Sequence, residues 1–533
     1  MTLANQKKII WSIITIGIVL RTYLYLQNLS LNIDEAWIAL STISKTPADI
    51  LFYAKENILP GAQLPNGFEL SVKLATSLIG LHEMAFRLIP FLCAVSTLVL
   101  FARMLFHERG YGVAVIATVL LACSQQHIFY SAVYKQYASD TFVCVWLLWC
   151  FFKFRRRGDA SLHALILFFI ACLPAPFFSH TSIFVLIPIG GALSVETFQK
   201  KQYHRLVAVG LLAVVLCSFY FAQYTLSMKG MLNDTHLMRM WDDGFLPETA
   251  SWQQAVFWVY QRILHLCGYV TNDLLKYAVL GFLSVGVCVT SLRRRLILCL
   301  CLFPILLVLL AAILQKYPFS GRLLLFLSPC VFWLMGEGIF AVCLKIKGQK
   351  EGLAAAVVLL LIIVYGVSGQ FNLDNRDQPD MRGLMRYYAR QYRADDTVFM
   401  MNSAQYAHGY YHGYFGMDPR KKVIHIIVDD KRKTSSFIPQ RDIKAICDYY
   451  NKEGYDLGRL AGKNIDILIE ENRRKSEHNP RSWIIMAHAH PLYQSQILNY
   501  FDRRGRRLEE RVFQGCSLYL YDLSAREDFQ QDL

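Results

Sequence analysis

Apolar residues along this chain fall in long blocks instead of a strand-like or amphipathic alternation. About twenty residues span a hydrocarbon core. Runs of that order recur near 9–27, 84–106, 112–129, 138–154, 161–179, 181–198, 205–225, 273–292, 294–314, 322–343 and 353–370. The pattern predicts about eleven transmembrane helices. After 370 the grammar changes. Short apolar runs such as "DTVFMMN", "VIHIIVDD", "IDILIEE", "SWIIMAHAH" and "CSLYLYDL" predict strands, and "MRGLMRYYARQYR", "RDIKAICDYYNKEG" and "SQILNYFDRRG" predict helices. Strands alternating with helices imply a compact α/β layer. The expected architecture is a polytopic α-helical membrane domain over 1–370, followed by a C-terminal extracytoplasmic α/β domain over 371–533.

Polar positions orient this arrangement. Basic clusters at 5–8, 107–110, 153–159, 199–205, 293–295 and 345–350 all fall on one side of the predicted spans, which the positive-inside rule makes cytoplasmic. The N-terminus is then inside. Two long loops, 28–83 and 226–272, and everything after 370 are outside. Within them, Leu70, Leu74 and Leu78 recur at helical spacing, and Trp252, Trp258, Tyr260 and Tyr269 are residues that favour the water–lipid interface. From 371 onward there are 26 basic and 23 acidic residues, so most of the formal charge of +15 belongs to the membrane part and not to a nucleic-acid surface. The composition agrees, at 54% hydrophobic and 18% charged. The first span reads as an uncleaved anchor. Twelve of the 14 cysteines precede 370, mostly inside spans as small apolar residues, leaving Cys447 and Cys516 as an outer pair able to oxidise. No Walker loop, C-x-x-C or dinucleotide fingerprint is present.

The candidate chemistry gathers outside. "LNIDEAW" (31–37) sets Asp34 and Glu35 where the first span leaves the membrane, and "FYSAVYKQYASD" (129–140) brings Tyr130, Tyr134, Lys135, Tyr137 and Asp140 to the outer ends of two spans. Charges near the bilayer are costly and point to function. Lys135 is expected beside Asp140. Arg322, in "KYPFSGRLLLFLSP", follows a Pro and Gly break at another outer mouth, where a guanidinium can grip a phosphate bidentately or snorkel to water. Glu83 and Arg87 have the spacing of an intrahelical ion pair. Carboxylates, phosphate-gripping cations and an outward cleft suit attack by an acceptor hydroxyl on the anomeric carbon of a lipid-phosphate-linked sugar. Asp34, set among apolar and acidic neighbours, is expected to have a raised pKa suited to a base. Glu35 is expected to bind a cation or to cap the surface helix.

The run from "LPNGFELSVKLATSLIGLHEMAFRLIPFLCAVSTLVLFARMLF" through "YSAVYKQYASD" resembles the bacterial membrane glycosyltransferases of the GT-C fold, the protein-mannosyltransferase-like and lipid A aminoarabinose transferase enzymes. The resemblance covers about residues 10–370. It implies catalytic acids at Asp34, Asp140 and Glu35, and donor-phosphate contacts from Lys135, Arg322 and Tyr137. It implies a polyprenyl-phosphate-linked hexose or pentose as donor, inversion at the transferred carbon, and a lipid, glycan or protein acceptor. The place would be the outer face of a bacterial cytoplasmic membrane. One departure matters. Relatives open the surface helix with Pro-Pro, preceded in one branch by a Glu-Lys that serves metal and phosphate; here the residues are Gln63, Leu64, Pro65 and Asn66. That metal site does not carry over, and a divalent cation has only Asp34, Glu35 or His180 as candidate ligands. Rival classes are a transporter or flippase for lipid-linked sugars, a ligase using lipid diphosphates, and an anchor serving the C-terminal domain.

Overall fold

The computed structural model describes residues 1–52, 64–158, 161–225, 241–345, 378–393, 395–417, 423–426, 457–460, 481–489 and 491–524. In chain order the helices of the first part are α1 (Leu3–Leu26), α2 (Ile33–Ser44), α3 (Pro47–Phe52), α4 (Asn66–Ile79), α5 (Glu83–Arg109), α6 (Tyr111–Cys123), α7 (Gln125–Tyr130) and α8 (Tyr137–Arg157). They continue with α9 (Leu162–Cys172), α10 (Ala175–Phe178), α11 (Ile183–Gln199), α12 (Tyr203–Gln223), α13 (Trp252–Val270), α14 (Lys276–Arg293), α15 (Arg295–Ile313) and α16 (Ser328–Lys345). Among the described residues eight helices, α1, α5, α8, α11, α12, α14, α15 and α16, are long and apolar enough to cross a membrane, some with a flanking 3-10 turn. The chain is a multi-pass membrane protein.

Two predicted spans are divided. The run 112–129 breaks at Ser124 between α6 and α7, and 161–179 breaks before the Pro174 that precedes α10. The first break has a tertiary cause. Arg21 of α1 is buried and donates to the Leu121 and Ala122 carbonyls at 2.9 and 3.0 Å, placing a cation on the negative end of α6. The predicted span 353–370 and the domain boundary at 370 lie outside the described residues. α14 and α16 approach closely: a Cβ on Gly286 would stand 1.9 Å from the Leu334 carbonyl, and one on Gly338 2.0 Å from that of Phe282. Opposite the candidate site, Arg109 pairs with Glu337, Arg155 with Glu196 and Arg156 with Glu108, tying α5, α8, α11 and α16 together at the end carrying the basic clusters.

The C-terminal part holds α17 (Met381–Gln391), α18 (Gln405–Tyr414), α19 (Pro491–Arg504) and six strands: β1 (Thr397–Met401), β2 (Val423–Ile426), β3 (Leu457–Leu460), β4 (Arg481–Ala487), β5 (Arg506–Phe513) and β6 (Cys516–Asp522). They form one sheet in the order β3-β2-β1-β4-β6-β5, parallel from β3 to β4 and antiparallel at β6 and β5. Alternation splits its core. Val398, Met400, Trp483, Ile485, Leu518 and Leu520 face one side, whereas Phe399, Met401, Ile484, Met486, Tyr519 and Tyr521 face the other, toward Ile497 and Phe501 of α19. The first face does not stop at the sheet. It continues through α17 and α18 into Leu31, Ala36, Ile38, Phe68, Phe86 and Tyr134 of the membrane part, with Trp37 stacked on Tyr406 at 5.3 Å.

Expected β1, β4, β6, α17 and α19 are present, and β2 matches the described part of its run. β3, β5 and α18 are additions, while "IDILIEE" and "RDIKAICDYYNKEG" lie outside the described residues. Among the described residues Cys516 has no disulfide partner, and Cys447 lies outside them.

Candidate active site

The site begins with the cap of α2. Asn32 accepts from the Glu35 N–H at 3.0 Å, and Glu35 accepts from the Asn32 N–H at 3.2 Å, a reciprocal capping box. Asp34 and Glu35 therefore occupy successive positions of a first helical turn, about 100° apart around the axis, and they face different company.

Asp34 is partly open and takes two cations from other elements. Arg322 Nη1 lies 2.9 Å from Asp34 Oδ2, and Lys135 Nζ lies 3.7 Å from the same oxygen. Lys135 comes from the turn between α7 and α8, and Arg322 from the 3-10 turn Gly321–Leu327 before α16. Lys135, close to Asp140 in sequence, thus pairs with Asp34. The expectation of a raised Asp34 pKa is corrected. The Lys135 ammonium, with Arg322 adding to it against the upward push of burial, holds the Asp34 carboxyl below the usual carboxylate range. Burial in turn pulls the Lys135 ammonium below its ordinary value, against the attraction of Asp34.

Aromatic rings frame the cations. The Arg322 guanidinium lies over Tyr137 at 5.7 Å and over Trp241 at 5.4 Å, and Tyr130 meets Tyr137 edge-on at 5.0 Å. Among the described residues the buried Arg322 Nε has no hydrogen-bond partner, leaving a donor in place for an anion. The turn holding Arg322 is fixed from α13, where His265 Nε2 accepts the Gly321 N–H at 3.0 Å. Gly321 itself has φ +43°, a left-handed conformation glycine tolerates at the break.

Glu35 is fully buried and turned to structure. It accepts from Arg87 Nε at 2.9 Å, Arg87 Nη2 at 2.6 Å and the Tyr134 N–H at 2.6 Å. The predicted Glu83–Arg87 pair within α5 is replaced: Arg87 goes to Glu35, and Glu83 accepts from Tyr411 and pairs with Arg382 of the C-terminal part. Asp140 is buried in the first turn of α8 beside the Ser179 and Thr181 hydroxyls. Among the described residues its Oδ1 makes no hydrogen bond and it has no cationic partner. The structure brings Asp34, Lys135, Arg322 and Tyr137 together, with Asp140 three residues along α8 from Tyr137. His180 Nε2 is buried, next to Thr181, and has no hydrogen-bond partner among the described residues.

The candidate cation ligands Asp34, Glu35 and His180 have other surroundings. Asp34 is engaged by two cations and Glu35 by Arg87, and among the described residues no three His, Cys, Asp or Glu side chains cluster closely enough for a metal. Three neighbours of this cluster were not foreseen: Trp241, His265 and the half-buried Arg262, which lies 3.6 Å from Asp243. Of these, Arg262 gave a signal: a cation within an aromatic interfacial helix.

No family model and no curated protein matches the sequence. Solved structures do. ArnT from Cupriavidus metallidurans in the apo state aligns over 95% of this chain and 97% of its own, with TM-score 0.52 and 9% identity. The same protein bound to undecaprenyl phosphate aligns over the same shares with TM-score 0.53 and 9% identity. An Archaeoglobus fulgidus oligosaccharyltransferase tethered with an acceptor peptide aligns over 75% of this chain and 62% of its own, with TM-score 0.45 and 11% identity. Likeness at such identity speaks for architecture, and over nearly the full length of both chains that architecture is the GT-C-like fold it shares with ArnT.

Proposed function

We propose that this protein is a membrane glycosyltransferase that moves a sugar from a polyprenyl-phosphate donor to an acceptor hydroxyl at the outer face of a bacterial cytoplasmic membrane, with inversion. The observation that carries the reading is the Asp34 carboxylate paired with both Arg322 and Lys135 in the first turn of α2. In the second ArnT structure the bound molecule is undecaprenyl phosphate, a ligand of the class these cations would take.

In this reaction the acceptor oxygen forms a bond to the anomeric carbon as the carbon–oxygen bond to phosphate breaks. The hydroxyl proton passes to the Asp34 carboxylate, and the charge left on the lipid phosphate is met by Arg322 and Lys135. Without donor, those cations neutralise Asp34 and depress its basicity. An arriving phosphate draws part of their charge to itself, so the base strengthens as the donor is seated. The Tyr137 and Trp241 rings, 5.7 and 5.4 Å from the guanidinium, add cation–π attraction to its placement. Asp140, with a free buried oxygen, completes the acidic wall. The sugar, and the choice among lipid, glycan and protein acceptors, follow from contacts to groups beyond this core.

The test is incubation of the purified full-length protein with a panel of polyprenyl-phosphate sugars. Asp34→Asn keeps the shape and removes the base, so transfer falls by about 10²–10⁴-fold with donor binding retained. Lipid-linked sugar crossing a vesicle without transfer in the wild type would make the protein a transporter instead.

A further inference from the structure

The chain that delivers Asp34 to its site is laced to the C-terminal part. Between the end of α1 and the cap of α2 lie only residues 27–31, and several of them are gripped from beyond residue 377. Gln378 Nε2 donates to the Ser30 carbonyl at 2.6 Å. Ser30 Oγ donates to Asp380 Oδ1 at 2.8 Å and accepts the Arg382 N–H at 3.1 Å. Arg382 Nη2 donates to the Asn28 carbonyl. Asn28 has φ +45°, a left-handed conformation uncommon outside glycine, so the bend depends on what surrounds it.

Tyr411 closes this lacing. Its hydroxyl accepts the Leu31 N–H at 2.9 Å and donates to Glu83 Oε1 at 2.8 Å, and both partners are buried. Arg382 adds an ion pair to the same Glu83 oxygen at 3.2 Å. One helical turn along α5, Arg87 grips the Leu29 and Ser30 carbonyls at 2.6 and 3.1 Å and pairs with Glu35. The loop is thus held from both sides by groups that meet at the start of α5, and only Asn32 and Ile33 separate Leu31 from Asp34.

We propose that Tyr411, with Arg382, is a positioning residue for Asp34: the C-terminal part sets the start of α2, and through it the place of the carboxylate between Arg322 and Lys135. The inference rests on the glycosyltransferase reading for its kinetic consequence, but not for its structural one. A C-terminal part that only covers the cleft needs no bond to the Leu31 amide. One that sets the base needs one there, because that amide lies one residue before the cap of α2.

The test uses the full-length protein with Tyr411→Phe, which keeps the buried ring, and Arg382→Gln as a second variant. Hydrogen exchange over residues 28–36 should rise in both, with the helices elsewhere unchanged. Transfer should lose about tenfold in kcat at unchanged donor and acceptor KM, the scale of one buried hydrogen bond. As Asp34 drifts from Lys135 its pKa rises, so the acid limb of kcat should move to higher pH, which a loss of fold alone would not produce. Unchanged exchange over 28–36 in both variants overturns the proposal, as does faster exchange with wild-type kcat and pH profile. If the wild-type protein moves no sugar from any donor, the glycosyltransferase reading fails, and the exchange measurement alone decides whether Tyr411 holds the loop.

Discussion

Replacing Arg322 separates a phosphate grip from mere neutralisation of Asp34. Its Nη1 sits 2.9 Å from Asp34, its guanidinium lies 5.7 Å from the Tyr137 ring and 5.4 Å from the Trp241 ring, and among the described residues its Nε has no hydrogen-bond partner. A charge-assisted hydrogen bond to phosphate contributes about 1.5–3 kcal/mol. Arg322→Ala should therefore lower kcat/KM for the donor by roughly 10–150-fold. The ion pair with Asp34 adds little to stability, because both side chains are about a third exposed. Arg322→Lys keeps the charge but loses the planar fork and the ring contacts, so it should recover only part of the loss. The assay is initial transfer rate against polyprenyl-phosphate-sugar concentration, with direct binding of undecaprenyl phosphate as the second readout. Wild-type donor kcat/KM in both variants would leave Arg322 as a counterion that snorkels to water, and the assignment of its unpartnered N–H to phosphate would be refuted.

Lys135→Ala removes the largest downward pull on the Asp34 carboxyl while burial still pushes it up. The group is needed ionised and titrates on the acid side, so the acid limb of kcat/KM should shift to higher pH; an unshifted limb would exclude Asp34 as its origin. Orientation is open to a separate check. A reporter active only in the cytoplasm should be silent when fused after 375 and active after 348, and the reverse would put the site on the wrong side of the membrane.

The membrane spans were legible because crossing a bilayer demands a run of apolar residues that nothing else in a chain imitates. Their interruptions were not, since the stop of α6 depends on Arg21, about a hundred residues away. The sheet was legible where it is buried on both faces. β5, reading "RRLEERVF", lies at an exposed edge beside β6 and needs no apolar run. α18, "QYAHGYYHGY", is rich in residues of weak helix propensity and is held by burial of its tyrosines against α2 and α5. The candidate residues were individually legible because charge at a membrane edge is conspicuous. Their pairing was not. Glu83 was matched with Arg87 by closeness in sequence, whereas the fold matches Glu83 with Arg382, Glu35 with Arg87, and Lys135 with Asp34.

Two adjacent acids can divide labour only if the backbone turns them apart, and the N-terminus of a helix does so. At the second and third positions of α2 both carboxylates benefit from the positive end of the helix dipole. The third position alone can reach back to its own cap, and Glu35 does so while Arg87 and the Tyr134 N–H occupy its remaining lone pairs. Glu35 is then a fixed anion in a dry place, where loss of its charge would leave Arg87 unpaired, at a cost of about 3–5 kcal/mol. The neighbouring position is left free of that duty. Asp34 stays partly open, its partners are long flexible side chains from two other elements, and one of them keeps an unused N–H. A carboxylate so held can exchange its partners for a substrate without disturbing the helix that carries it, because Glu35 keeps that helix in place.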